Sequence, residues 1–405
     1  MKPLLPVDEA TRRLLEAAVP VADSETLPLA DCDGRILAAD LAARLTQPPF
    51  DASAMDGYAL RSADAPEIGS VLTVIGQAAA GHAFTGTVGQ GEAVRIFTGA
   101  PVPTGADTIL IQEDAEVLEG GKIRTTFEVT AGRHIRPRGQ DFAKGETVLK
   151  AGRELGFTDL TVAAAMNHAT LPVYRRPLVA ILATGDELLP PGSTPQPAQI
   201  IASNTFGVAA LARTAGADIL DLGIIADDDA LIRAAIGKAA AAKADVLVTL
   251  GGASVGDHDL VQAALKAEGM QLDFWRIAMR PGKPLMVGAI GTMQVLGLPG
   301  NPVASLVCSL LFLEPLLRSI ARRAPLQRVA TARTATPLKA NDHRQDYLRA
   351  RFHTGENGVL MAEAYTKQDS SMMKILAHSD GLIVRPPHAP AVEAGTVCQV
   401  IRLKA

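Results

Sequence analysis

The chain has 405 residues, with 39 Lys and Arg against 43 Asp and Glu and a net charge of -4, a near-balance that argues against a general nucleic-acid binder. That length exceeds what one hydrophobic core supports, so two to four domains are expected. Cys32, Cys308 and Cys398 form neither a CxxC pair nor a disulfide framework, which predicts a reduced, cytoplasmic setting without a cysteine-rich metal centre. The opening MKPLLPVDEATRRLLEA breaks its apolar residues with Pro, Asp and Glu and does not read as a signal peptide. The apolar run Val303 to Leu313 is expected to be too short to span a bilayer and to stop at Glu314-Pro315, so no membrane partner is expected.

In chain order, Val7 to Val19 places Ala10, Leu14, Leu15 and Ala18 on one helical face, an amphipathic helix with a packing partner elsewhere. Gln47-Pro48-Pro49-Phe50-Asp51 breaks regular structure, and Ala52 to Leu60 surrounds Asp56 with small residues. Asp56-Gly57 reads as a tight turn or as a site acid. From Val71 to Ile111 short β-like runs alternate with Gly and Pro, and Thr98 closes one of them, facing a ligand or making an ordinary turn. Arg133, Arg136 and Arg138 form a basic cluster of the kind usually found on a solvated face. Helical text resumes between Lys150 and Thr170. Residues 1–176 therefore read as an N-terminal region carrying a β-rich insertion at about 47–142.

From Pro177 strands and helices alternate, which predicts a parallel sheet with helices on both faces over 177–325. The strand from Leu178 runs into Thr184-Gly185-Asp186-Glu187, and a helix is expected over Ser203 to Ala215. The strand Asp218 to Ile225 reaches Asp227-Asp228-Asp229, followed by a helix over Ala230 to Ala242. Asp245 to Leu250 is a doubly buried strand ending in a glycine loop, where Gly251, Gly252 and Gly256 space out Ser254, and where Asp257 or Asp259 opens the next helix. Such a loop brings backbone N–H groups close to an anion, although it matches neither GxGxxG nor the P-loop. Three successive strand ends thus carry acids. In an open α/β sheet these ends share one crevice, and clustered carboxylates favour a hard cation such as Mg²⁺. Arg276, Arg280 and Lys283 offer charge to an oxyanion, and a later strand ends at Gly297-Leu298-Pro299-Gly300-Asn301-Pro302 before the apolar helix. Against this stands the reading of each acid as a helix N-cap. Residues 326–405 return to β-like text and suit a small barrel.

PPFDASAMDGYAL, FTGAPVPTGADTI, ATGDEL, GGASVGDHD, RPGKPL and GLPGNPVAS, in that order and spacing, resemble the MoeA family of molybdopterin molybdenumtransferases, also seen in the E domain of gephyrin. The resemblance spans essentially the whole chain. It implies a multidomain α/β protein with a central MogA-like domain. It also implies an enzyme that takes adenylylated molybdopterin and molybdate, cleaves the phosphoanhydride with Mg²⁺, and releases AMP, in the last step of molybdenum cofactor assembly. A homodimer follows, with a site shared between subunits, and an adenylyltransferase is a possible partner. By motif position, Asp56 and Thr98 face the cleft from the N-terminal region. Glu187, Asp228 and Asp259 hold Mg²⁺ or orient the reacting oxygens. Gly251, Gly252, Ser254, Gly256, Arg276, Arg280, Lys283, Pro299 and Pro302 contact substrate or molybdate. Arg276 and Arg280 stand where some relatives carry Lys. The alternatives are a MogA-type adenylyltransferase, a gephyrin-type scaffold, and a nucleotide pyrophosphatase related to competence-damage proteins.

Overall fold

The computed structural model describes residues 4–251, 260–355 and 358–404. The chain divides into two compact units, residues 26–173 and residues 1–25 together with 174–405. The first helix, α1 (Val7–Glu16), buries Val7, Ala10 and Leu14 in the core that contains Phe312 and Leu316. Its three inward residues recur at helical spacing, which is why this face needed a partner.

In the unit 26–173 a six-stranded sheet runs in the order Thr108–Ile111, Gly57–Leu60, Glu92–Ile96, Val71–Ala78, Lys122–Thr125 and Ala115–Leu118. Its Gly57 strand is buried on both faces, with Tyr58 and Leu60 entering one small core and Ala59 the other. Gly57 itself has no room for a side chain, since a Cβ would stand 2.0 Å from the Leu110 carbonyl oxygen. The chain beside Asp56 is thereby pinned to its neighbour. A third core, around Leu37, Phe142, Leu155 and Met166, packs α2 (Phe157–Ala165) near the antiparallel pair Leu41–Ala42 and Thr147–Leu149.

In the larger unit the sheet order is Asp218–Ile225, Leu178–Thr184, Val246–Leu250, Met293–Leu298, Met286–Ile290 and Gln271–Trp275. The first four strands are mutually parallel, and the last two run antiparallel to their neighbours. That reversal follows from the link: only Gly291 and Thr292 join Met286–Ile290 to Met293–Leu298, a hairpin length, and Gly291 has φ +58°. Ile181 and Ala183 face one core with α3 (Asn204–Thr214), whereas Ala180 and Leu182 face the other with α4 (Asp229–Ala241) and α5 (Leu260–Ala267). After Leu178–Thr184 the chain moves to one side of that strand, then returns to its other side as Val246–Leu250. The crevice outside their carboxyl ends is thus a topological switch point.

The helix α6 spans Pro302–Ile320 and is long and apolar enough to cross a membrane, but 78% of its apolar window is buried inside this unit. It does not stop at Glu314-Pro315 as the sequence suggested. A π-helical turn at Ser309–Leu313 precedes Pro315, whose missing N–H falls early in the next helical turn, and the helix continues. Glu314, 3% exposed, is met by Arg328 through two bonds of 2.6 and 2.7 Å. Beyond it, five strands (Val329–Thr334, Gln345–Thr354, Leu360–Ala364, Gly381–Arg385 and Val397–Arg402) close into the expected small barrel, because Gln345–Thr354 pairs with both Leu360–Ala364 and Gly381–Arg385.

Candidate functional site

A cavity of about 980 Å³ opens at the carboxyl ends of the three central parallel strands. Its floor is Thr184, Gly251 and Pro299, its apolar walls include Ile200, Val261 and Met373, and its acids are Glu187 and Asp227. Each strand end places its side chains for a local reason. Gly185 has φ +149°, and a Cβ there would lie 2.5 Å from Glu187 Oε2, so glycine lets the chain turn and brings Glu187 back over the strand end. Gly251 has φ +98°, and a Cβ would lie 2.9 Å from the Thr184 carbonyl oxygen. Pro302 starts α6 and, with Pro299, frames Gly300 and Asn301 against the cavity.

The triple Asp resolves into distinct jobs. Asp228 is the N-cap of α4, its Oδ1 accepting from the Leu231 N–H at 2.9 Å. For this acid the capping reading holds. Asp227 is the one that lines the cavity, and its backbone N–H donates to Asp186 Oδ1 at 3.1 Å. Loss of hydration, then the charges of Asp186 and Glu187, push the Asp227 carboxyl above its ordinary range. Among the described residues no cluster of three or more His, Cys, Asp or Glu has the arrangement of a metal site. Of the expected ligands, Glu187 and Asp227 in place of Asp228 face the cavity. Gly252, Ser254, Gly256 and Asp259 lie outside the described residues. The donor set that is described consists of hard oxygens carrying unbalanced negative charge, which fits a divalent cation.

The expected cations separate in the same way. Arg280 is engaged by Asp346 and, at 3.3 Å each, by Asp342 and Asn341 of the barrel, and the bond to Asp346 raises its pKa. It ties the Met279–Arg280 strand to Gln345–Thr354 and is not free for an oxyanion. Arg276, at φ +73°, lays its guanidinium 4.0 Å from the Trp275 ring centre, and its buried Nε has no partner. Lys283 is exposed. In the other unit, Asp56 and Thr98 come together: Asp56 Oδ1 accepts from both the N–H and the Oγ1 of Thr98 at 2.7 Å, which holds its carboxyl below the usual range.

Sequence reading missed Arg349 and the wall it supports. Arg349 is fully buried, donates from Nη2 to the Asp369 carbonyl at 3.1 Å, and leaves Nε unpartnered. Burial lowers its pKa. The next residue, Ser370, accepts from Asn301 Nδ2 at 3.0 Å and from the Val303 N–H at 3.1 Å, so barrel and α/β domain meet at the cavity, where Ser371 and Met373 line it. The available signal was an Arg at an inward position between Tyr347 and Ala350.

Matches to three family models cover most of the chain: the MoeA N-terminal region, domains I and II, over residues 5–167; a probable molybdopterin binding domain over 180–319; and the MoeA C-terminal region, domain IV, over 331–403. A molybdopterin molybdenumtransferase of Haemophilus influenzae is 34% identical over 394 residues, covering 97% of each chain. The chain belongs to the MoeA family. A second MoeA-family relative, molybdopterin molybdenumtransferase 2 of Mycobacterium tuberculosis, is 35% identical over 93% of this chain and 94% of its own. The Bacillus subtilis molybdopterin molybdenumtransferase is 34% identical over 99% and 94%. A molybdopterin biosynthesis MoeA protein from Pyrococcus horikoshii superposes with a TM-score of 0.84 at 29% identity, covering 100% of both chains.

Proposed function

We propose that this MoeA-family chain inserts molybdenum from molybdate into adenylylated molybdopterin, with Mg²⁺-dependent release of AMP. Membership of a family of molybdenumtransferases supports the molybdenum-insertion step of cofactor biosynthesis. The observation that carries the finer reading is the cavity at the switch point, with Glu187 and Asp227 beside the glycine-lined strand ends. Cleaving a phosphoanhydride needs positioning and charge neutralisation more than a protein nucleophile. When bound, Mg²⁺ would sit on Glu187 and Asp227 and draw charge from the anhydride oxygens. Glu187 and Asp227 orient the reacting end. Arg276, whose buried Nε has no partner, and the exposed Lys283 supply cations for molybdate, a tetrahedral dianion. Asp56 and Thr98, held as a rigid acceptor pair, complete the site from a second subunit of a homodimer working in the cytoplasm. An adenylyltransferase supplies the adenylylated substrate.

The test is AMP release from adenylylated molybdopterin by the purified protein, with and without molybdate and Mg²⁺. The expected result is release that depends on both and falls about a hundredfold or more in Asp227→Asn, the scale of losing one electrostatic group at a reacting centre. AMP formed only from ATP and free molybdopterin would replace this reading with adenylylation, and no AMP at all would replace it with a scaffold.

A further inference from the structure

We propose that Arg95 is a positioning residue for the Asp56–Thr98 acceptor pair, fastening both turns that carry it. This role deepens the proposed function and rests on it for what Asp56 does there. Asp56 directly precedes the strand Gly57–Leu60, and Phe97 separates Thr98 from the strand Glu92–Ile96. In the sheet Gly57 opposes Ile96 and Tyr58 opposes Arg95. From that register the Arg95 side chain reaches back to both turns. Its Nη1 donates to the Gly57 carbonyl at 3.1 Å, and its Nη2 donates to Gln112 Oε1 at 2.7 Å. Gln112 in turn donates its backbone N–H to the Asp56 carbonyl at 3.0 Å, and its Nε2 donates to Glu113 Oε1 at 3.2 Å, which leaves Gln112 Oε1 for the guanidinium. One fork thus holds the two peptide carbonyls that follow the Asp56 side chain, one directly and one through Gln112.

The guanidinium also lies 5.0 Å from the ring centres of both Tyr58 and Phe97, and Phe97 is the chain neighbour of Thr98. A planar guanidinium can meet two acceptors and two rings at once, where a compact ammonium cannot. The sheet itself has little need of these contacts, because Gly57–Leu60 is already paired along its length with Glu92–Ile96 and with Thr108–Ile111. What the ladder leaves open is the direction of the Asp56 carboxylate. Its Oδ1 takes both Thr98 bonds at 2.7 Å, and its Oδ2 accepts none among the described residues. Oδ2 is therefore the oxygen left for a reacting group, and its direction follows the two turns that Arg95 joins. The bonds from Thr98 do most to hold the Asp56 carboxyl below its usual range, and the Arg95 charge acts in the same direction.

The experiment is a double-mutant cycle on the full chain, reading kcat for molybdate-dependent AMP release beside Tm. Asp56→Ala is expected to lower kcat about a hundredfold and Arg95→Ala about tenfold. A side chain that acts only through Asp56 has nothing left to position once that carboxylate is gone, so adding Arg95→Ala to Asp56→Ala should change kcat by less than about twofold. The Tm loss from Arg95→Ala should be the same in both backgrounds, since the bonds to Gly57 and Gln112 are lost in each. Equal falls of kcat in both backgrounds would show that Arg95 serves the fold alone and overturn the assignment, while molybdate-dependent release keeps the proposed function. Should Arg95→Ala fail to fold, Gln112→Ala removes one arm of the fork, with kcat expected to fall about threefold in the parent and to stay level in Asp56→Ala. Equal falls there overturn the assignment too. Arg95→Lys keeps the charge near the rings but cannot hold both acceptors, so Tm should return toward the parent with kcat still about fivefold low. Recovery of kcat in step with Tm speaks for stability alone and against positioning. Parent-like kcat in Asp56→Ala overturns the role while leaving AMP release in place; a parent that releases no AMP removes the proposed function, and this role with it.

Discussion

Asp56 and Asp227 are the same residue at two strand-end turns, and their surroundings drive them in opposite directions. Asp56 accepts two hydrogen bonds from Thr98, which settle its charge and orientation and lower its pKa. Asp227 gains desolvation and two like-charged neighbours, and its pKa rises. The first is a finished arrangement, a carboxylate ready to act as a fixed acceptor. The second is unfinished, a charge whose environment improves when a cation arrives. Proximity of an acid to a glycine turn therefore says little about its job; the donors and acids around it decide.

The largest expected effect breaks this contrast chemically. Asp227→Asn should remove most Mg²⁺-dependent AMP release while leaving the fold intact, since it also relieves repulsion from Asp186 and Glu187. A variant that loses activity and folding together in circular dichroism would place Asp227 among the structural acids. Next comes Arg280, the cation that the barrel has claimed. Arg280→Ala leaves Asp346, 4% exposed, without its guanidinium, and should cost about 2 kcal/mol in denaturant unfolding, the scale of an uncompensated buried charged group. A stability loss near zero, with weakened molybdate dependence instead, would return Arg280 to the oxyanion site. Smaller still is Asp228→Ala, expected to cost about 1 kcal/mol for loss of the α4 cap, with Asp228→Asn close to the parent because Asn caps as well as Asp.

The smallest effect tests the contrast by pH. A lowered folded pKa makes Asp56 contribute stability above its unfolded value, and that contribution is lost as pH falls through the folded value. A raised folded pKa gives Asp227 the reverse sign: its ionisation costs stability once pH rises above the unfolded value, and the cost is complete above the folded one. Asp56→Asn should therefore flatten the acid limb of a Tm-against-pH curve, and Asp227→Asn should lift the neutral plateau slightly. Shifts of the same sign in both variants would sink the comparison.

Much of the fold was legible because the strand runs are written in local patterns. Asp218–Ile225 is where β-branched and aliphatic residues placed it, and the helices on either side followed apolar spacing to within a residue or two at their ends. The antiparallel edge was missed because strand direction depends on the length of a link, not on the strand's own composition. Helix α6 ran past Glu314-Pro315 because its charge was met by Arg328 from a later segment. Local text has no access to such a partner.

For the site, sequence alone determined the family, the glycine turns and the presence of acids at strand ends, since steric need and motif order are properties of neighbouring residues. Tertiary structure decided which acid caps a helix and which meets the cavity, why Arg280 is bound to the barrel, and that Arg349, Ser371 and Met373 support or line the cavity wall. The roles of Arg280 and of the Asn301–Ser370 wall turn on hydrogen bonds between segments more than 60 residues apart, and a side chain's charge acquires its role only when such partners are in place.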